Sequence, residues 1–595
     1  MERRNFILFL LAVIGSFLGV VANLFRLQIL EGERYRKLSE RNYVRRRYLY
    51  PPRGDIYDRN GNKLAYDVPR YALVLDANRL RRDELKEVLK KLEELFGLKV
   101  DAEKVLSRGF EPAVIKESLN EAELERYHRH AHELPGVFVE VLPKRTYPFG
   151  HYAAHVLGYV GYPDERDLKR LKGKVGPASL VGKMGIERSM DRELLGELGE
   201  EKVMVNALGR IVRVLERKEP KKGNSLVLTL DMRFQKIVED VFLESGHPAG
   251  AVLLLNAKTG EVLALASFPD FNPNTIYDEW ERLIKNPLKP LFNRATRGLY
   301  PPASVFKVPV AYGVLASGTA SPWQTVYCPG FFELGNRRFW CWRRWGHGKV
   351  NLIKSLSQSC DVYYYTMGYE MGPTKINYYA RKFSYGERIP FELPVKKGFL
   401  PTPAWKRRRF KEPWYDGDTV NMSIGQGFIL STLMEQTLMM MGIANNGVIY
   451  RPTLLREIRS PDGKVLFKNE RKVFKVVYGK LEHFALIKRG LRDAVRKGTA
   501  REAMSKIVDI AGKTGTAEVF FKDKERIKRR YRKLKKKLPW KYRNHAWFVG
   551  FAPYRDPRFV IGVFVEHGES GGKAAAPIAR KILERIYMEK LHKEI

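Results

Sequence analysis

Ser304 and Lys307, in the run PPASVFK, place a hydroxyl and an amine almost one helical turn apart where an apolar helical pattern, VPVAYGVLASG, begins. A serine hydroxyl is a weak nucleophile that a neighbouring neutral amine can deprotonate, and the N–H groups at a helix start can face a developing oxyanion. The chemistry within reach of this pair is acyl transfer through a covalent serine ester. Spacing alone does not establish it, because a serine at a helix start is ordinarily a cap. Ser570-Gly571-Gly572-Lys573 also repeats the spacing, in a glycine-rich setting without a helix start. Two later clusters add the missing groups. Ser359-Cys360-Asp361, between two helical patterns, supplies a second hydroxyl and a carboxylate, and Lys513-Thr514-Gly515-Thr516, inside IVDIAGKTGTAEVFF, supplies a second amine. An earlier Lys258-Thr259-Gly260 precedes the serine and falls in a predicted hairpin turn, so it reads as turn chemistry.

All three cysteines lie close to this chemistry, with one histidine among them: Cys328, Cys341, His347 and Cys360, spaced C-x12-C-x5-H-x12-C. Three thiols and an imidazole match the ligand types of a closed structural zinc site, although the short C-x-x-C pairs typical of such sites are missing. A Cys328 to Cys341 disulfide and three unrelated buried thiols are the other two readings the spacing allows.

Positioning these groups calls for a sheet and helices. AGAVLLLNAKTGEVLALAS (249–267) reads as two apolar strands around a turn, and HAWFVGFAP and RFVIGVFVEHG as a second hairpin turning at Arg555-Asp556-Pro557. Between the hairpins the patterns are mostly helical, and 574–590 reads as a closing helix. The expectation is α+β: an antiparallel sheet assembled from both ends of a domain, with a helical insertion. The charged EPKKGNSL (219–226) marks the domain boundary, giving a non-catalytic, strand-rich, dimerisation-like pedestal over 26–222 and a catalytic domain over 223–595. In the pedestal, Asn60-Gly61 predicts a two-residue hairpin turn, 81–96 a helix, and GVFVEVLPKRTYPFG a strand and turn.

Residues 6–25 are twenty uncharged residues, long enough to cross a bilayer as a helix, so 1–25 reads as a tip and transmembrane anchor. A cleaved signal peptide, with Val20-Val21-Ala22 as its small-residue site, is the alternative. The flanking charges, Arg3 and Arg4 against Arg26, Arg34, Arg36, Lys37, Arg41, Arg45, Arg46 and Arg47, place the bulk of the chain in the cytoplasm by the positive-inside rule. A net charge of +40 favours polyanions. No RNA-recognition, zinc-finger or helix-turn-helix signature accompanies it, so no nucleic-acid partner is expected. Residues 521–543 hold thirteen Lys or Arg and two acids; a solvated helix face and a contact with an anionic surface are the two readings of this stretch.

The clusters S-x-x-K, S-x-D and K-T-G, in that order, resemble the penicillin-binding transpeptidases. The resemblance spans nearly the whole chain. RGDIYDRNG and GKMGIERSMDRELLGELG resemble landmarks of the class B non-catalytic domain, and NMSIGQGF, ANNG and GGKAAAPIAR resemble landmarks of the catalytic domain. WGHG, the S-x-D form and HAWFVGFAP resemble the elongation-type subclass, penicillin-binding protein 2.

The resemblance implies a D,D-transpeptidase of the peptidoglycan wall that β-lactams inhibit covalently. Ser304 would attack the penultimate D-Ala carbonyl of a stem peptide, and an amine of a second stem peptide would resolve the ester. Lys307 would be the general base, its pKa lowered by Lys513 and partial burial. Ser359 would relay the proton to the leaving amine, Lys513, Thr514, Gly515 and Thr516 would take the substrate carboxylate, and the N–H groups of Ser304 and Thr516 would form the oxyanion hole. Asp361 replaces the commoner Asn. No cofactor is implied for acyl transfer; some enzymes that resemble this subclass carry a metal nearby, with His347 and Cys360 at matching ligand positions, which adds to the zinc reading of Cys328, Cys341, His347 and Cys360. A SEDS-family glycosyltransferase and a rod-complex scaffold are the implied partners. The implied location is a single-pass inner-membrane protein with its N-terminus inside and its catalytic domain outside, against the flanking charges. A membrane-tethered β-lactam sensor and a β-lactamase are the alternatives on the same fold.

Overall fold

The computed structural model describes residues 3–35, 44–77, 80–106, 112–176, 178–205, 211–519, 524–534 and 537–594. An α-helix over Arg3–Phe25 runs on as a π-helical turn over Arg26–Leu30. Phe6–Leu30 is the one helix among the described residues that is long and apolar enough to cross a membrane. Its large apolar side chains are exposed on every face, so no protein core accounts for them. Ile29 and Leu30 carry the apolar surface five residues past the expected end.

In the pedestal, strands Lys63–Leu75 and Val137–Thr146 pair antiparallel from Tyr66 opposite Thr146 to Leu75 opposite Val137. Helix Arg82–Phe96 lays Leu85, Val88, Leu92 and Phe96, spaced along one face, against Leu73 and Leu75. The hairpin at Asn60-Gly61 forms, but between strands Ile56–Tyr57 and Lys63–Leu75 it is longer than the expected two-residue turn. The cause is Asp58, whose Oδ1 accepts the N–H groups of Asn60 and Asn62 and so builds a wider loop, with Gly61 at a φ of 87°. Strands Val44–Leu49, Gly199–Val205 and Ile211–Lys218 form a separate three-stranded sheet.

The two pedestal landmarks singled out in the sequence meet in a buried ion network. Arg53, of RGDIYDRNG, donates from Nε to Glu187, of GKMGIERS, at 2.6 Å and lies 2.7 Å from Asp191. Arg145 reaches the other oxygen of Glu187 at 2.7 Å and Asp67 at 3.1 Å. Charges this deep are tolerable only when mutually paired, so each of these buried charges depends on the others.

The catalytic half contains a five-stranded antiparallel sheet in the order Val262–Phe268, Gly250–Asn256, Phe559–Val565, His545–Ala552, Ala511–Ala517. Both ends of the domain contribute, as the two hairpin patterns require, and the multidomain α+β architecture matches the sequence expectation. Alternation along the strands sends Val252, Leu254, Phe548 and Ile561 to a face covered by helices Met232–Glu244 and Ala576–Met588. Leu253, Leu255, Trp547 and Val549 face helices Lys307–Ala316 and Leu433–Ala444. Lys258-Thr259-Gly260 forms the turn between the first two strands, with Gly260 at a φ of 81°. Strand Ser225–Leu228, just past the boundary placed at 222, pairs parallel with Ile56–Tyr57 and antiparallel with Leu455–Arg459. The halves therefore share a sheet, and Asp58 of the pedestal loop accepts the Met232 N–H of the next helix.

Candidate active site

Ser304 sits on a 3-10 turn, Ala303–Phe306, rather than on the α-helix itself, which begins at Lys307. Ala303 has a φ of 51°, and its N–H donates to Gly425 O at 2.9 Å. A left-handed alanine beside the candidate nucleophile is local strain of the kind that gathers at functional sites. Strand Ala511–Ala517 is the sheet's edge and passes directly against this turn: a Cβ on Gly515 would lie 3.2 Å from both Pro302 O and Val305 Cγ2. Glycine between the two threonines allows this close approach.

Lys307 and Lys513 are both fully buried and converge on one hydroxyl. Lys513 Nζ donates to Ser359 Oγ at 2.8 Å, and Lys307 Nζ to the same atom at 3.3 Å. Lys307 also donates to Ser359 O at 3.0 Å and to Asp361 Oδ1 at 2.6 Å. Asp361 Oδ2 accepts the Trp342 backbone N–H at 2.8 Å, so both oxygens of the S-x-D carboxylate are used inside the protein.

The two amines differ in charge environment. Burial, reinforced by the charge of Lys307 and opposed by Asp361, holds the Lys513 pKa well below that of an ordinary lysine. Burial pushes the Asp361 pKa up against the pull of Lys307. Lys307 has the Asp361 carboxylate against it, whereas Lys513 meets neutral oxygens, the Ser359 hydroxyl at 2.8 Å and the Thr514 carbonyl at 3.1 Å.

The hydroxyl of buried Thr514 is within 3.2 Å of Thr499 Oγ1, while Thr516 is exposed, its Oγ1 accepting the Gly571 N–H at 3.3 Å. The second S-x-x-K match thus packs on the K-T-G strand: a Cβ on Gly571 would stand 2.4 Å from Gly515 O. Trp342, Thr499 and Gln426, whose Nε2 donates to Thr516 O at 3.2 Å, were missed by sequence reasoning. Only Gln426 carried a signal, as part of NMSIGQGF.

Cys328, Cys341, His347 and Cys360 are all buried, and their ligand atoms lie within 4.8 Å of one another. His347 Nδ1 is 3.6 Å from Cys328 Sγ and 3.5 Å from Cys341 Sγ. Ligand atoms about 3.7 Å apart are what a tetrahedron with metal–sulfur bonds of about 2.3 Å requires. The three thiols are free. A hydrogen bond from Cys360 holds the Cys341 pKa down, and the same bond together with burial pushes that of Cys360 up. The donor set and its convergence fit a tetrahedral ion of zinc type.

Residues 250–584 match the penicillin binding protein transpeptidase domain, and residues 48–228 the penicillin-binding protein dimerisation domain. With fold and site in agreement, the chain belongs to the penicillin-binding protein transpeptidases. Within that family it is similar to the peptidoglycan D,D-transpeptidase MrdA of Escherichia coli (strain K12), 33% identical over 98% of this chain and 94% of that protein. It is also similar to the penicillin-binding protein 2 chain solved in complex with MreC from Helicobacter pylori, with a TM-score of 0.79 and 29% identity, covering 92% of this chain and 100% of the other. A chain of a peptidoglycan synthase complex that coordinates polymerization and crosslinking matches with a TM-score of 0.71 and 29% identity, over 99% of both chains.

Proposed function

We propose that this chain, a peptidoglycan D,D-transpeptidase of the penicillin-binding protein 2 group, cross-links stem peptides during wall elongation through an ester on Ser304. The observation that carries the assignment is the convergence of Lys307 and Lys513 on Ser359 Oγ beside the Ser304 turn. Ser304 Oγ bonds to the penultimate D-Ala carbonyl carbon, and its proton passes to Lys307. Lys307 is held for this step by Asp361 Oδ1 at 2.6 Å and the Ser359 carbonyl oxygen at 3.0 Å. The peptide C–N bond then breaks, and the leaving D-Ala nitrogen takes a proton through Ser359 Oγ. An amine from a second stem peptide attacks the ester, and its proton returns by the same route to Ser304 Oγ.

The backbone N–H groups of Ser304 and Thr516 stabilise the oxyanion, each worth roughly a hundredfold to a thousandfold. Exposed Thr516, with Thr514 and Lys513 behind it, receives the substrate carboxylate. Mass spectrometry of the penicillin-labelled protein tests the assignment: a persistent adduct on the peptide containing Ser304 supports it. An adduct elsewhere, or one hydrolysed as fast as it forms, as a β-lactamase would do, overturns it.

Cys328, Cys341, His347 and Cys360 would hold a structural zinc, which as a closed site supplies fixed geometry and not a reacting group. Cys360 lies between Ser359 and Asp361, so the site braces both from behind. Elemental analysis after mild purification should find close to one zinc per chain; less than about 0.2 overturns the assignment.

The Phe6–Leu30 helix anchors the chain in the inner membrane, with the catalytic domain outside, where its substrate lies. A SEDS-family glycosyltransferase and a rod-complex scaffold are the proposed partners, supported by the relatives in complex with MreC and in the synthase complex. Of the basic stretch, 521–523 and 535–536 lie outside the described residues, and Lys524–Lys533 is a helix.

A further inference from the structure

Ser359 holds a backbone φ of 52°, a left-handed conformation that a residue with a side chain keeps only where its surroundings fix it. Its carbonyl oxygen is held by two donors, Lys307 Nζ at 3.0 Å and the indole N–H of Trp342 at 3.1 Å. The same indole N–H is 3.1 Å from Gln358 O, and the backbone N–H of Trp342 donates to Asp361 Oδ2 at 2.8 Å. Trp342 and Lys307 therefore share two acceptors, the Ser359 carbonyl and the Asp361 carboxylate.

Hydrophobic burial does not explain where this indole sits. Its residue is 56% exposed, and its ring touches His347 edge-on with centroids 5.4 Å apart. A large aromatic side chain left in water, with both its N–H groups on the second motif, is placed by hydrogen bonding. Removing one donor from a carbonyl with two donors shifts the load to the other, which here is the amine that must leave its acceptors to reach Ser304.

We infer that Trp342 is a positioning residue for acylation: its indole N–H fixes the Ser359 carbonyl, keeps the Ser359 hydroxyl between Lys307 and Lys513, and frees Lys307 to turn toward Ser304. The inference rests on Ser304 being the acylated residue.

The test uses the full-length protein in detergent and the second-order rate constant for acylation by a fluorescent penicillin. Replacing Trp342 with β-(3-benzothienyl)alanine keeps the bicyclic ring and its contact with His347 but deletes the N–H. This variant and Trp342→Phe should each acylate about tenfold more slowly, with unchanged final labelling stoichiometry and thermal midpoint. 5-Fluorotryptophan at the same position, which keeps the N–H, should restore the rate. A benzothienyl protein that acylates within about twofold of wild type overturns the inference. So does a loss that appears as a smaller labelled fraction with an unchanged rate in the remainder. Failure of the underlying assignment is separately visible, because the wild-type protein would then carry no adduct on Ser304.

Discussion

Ser304→Ala abolishes covalent labelling by fluorescent penicillin and leaves the fold in place. The expectation follows from what this side chain does and does not do. Ser304 is half-buried on a short turn that Ala303 N–H and Gly425 O hold by their backbone contact, so deleting the hydroxyl opens no large cavity. A stability change within about 0.5 kcal/mol is expected. Loss of the oxygen removes the atom on which an ester can form, and no lesser rate survives at that position. Ser359 cannot substitute, because its hydroxyl is committed to Lys307 and Lys513, and Ser570 belongs to a turn that packs on the K-T-G strand. Gel fluorescence alongside a thermal melt reads both halves of the expectation. Labelling that persists in a folded variant sinks the assignment of Ser304.

The second large effect lies far from the chemistry. Glu187→Ala should destabilise the pedestal by about 3–5 kcal/mol, the usual cost of leaving buried charge uncompensated. Glu187 is fully buried and lies between Arg53 and Arg145, at 2.6 and 2.7 Å. Burial works to raise its pKa, but the guanidiniums of Arg145 and Arg53 hold it below the ordinary carboxylate value. After truncation Arg145 keeps one carboxylate, Asp67, and Arg53 keeps one, Asp191, with the carbonyls of Leu180 and residue 187, and the two guanidiniums lose the carboxylate between them. The pedestal's unfolding transition, followed by chaotrope titration with a probe confined to residues 44–218, reads the loss. A shift below about 1 kcal/mol shows that water or a local rearrangement solvates the pair, and the account of the landmarks as a mutual lock then falls.

Much of the architecture was legible because it is local. Apolar runs with strand periodicity at 249–267 and 545–565 marked the central sheet, Leu85, Val88 and Leu92 marked one helical face, and an uncharged stretch marked the membrane helix. The grouping of Lys307, Ser359, Asp361 and Lys513 beside the Ser304 turn was legible for a different reason: these are residue types whose order and spacing are distinctive even without a fold. The length of the Asp58 loop was not legible, because it depends on how one carboxylate spends its hydrogen bonds. Nor was the shared strand at 225–228, whose partners lie some 170 and 230 residues away in sequence.

The serine, two lysines, carboxylate and sulfur–imidazole set were thus determined by sequence alone, as were the sheet and helices that carry them. Tertiary structure decided how they divide the work: Lys307 received the carboxylate, Lys513 received burial without one, and Trp342 received a place at Ser359. Those outcomes depend on contacts between residues 17 to 154 apart. Only chain packing sets such contacts, and a buried amine's charge follows from the partners that packing supplies.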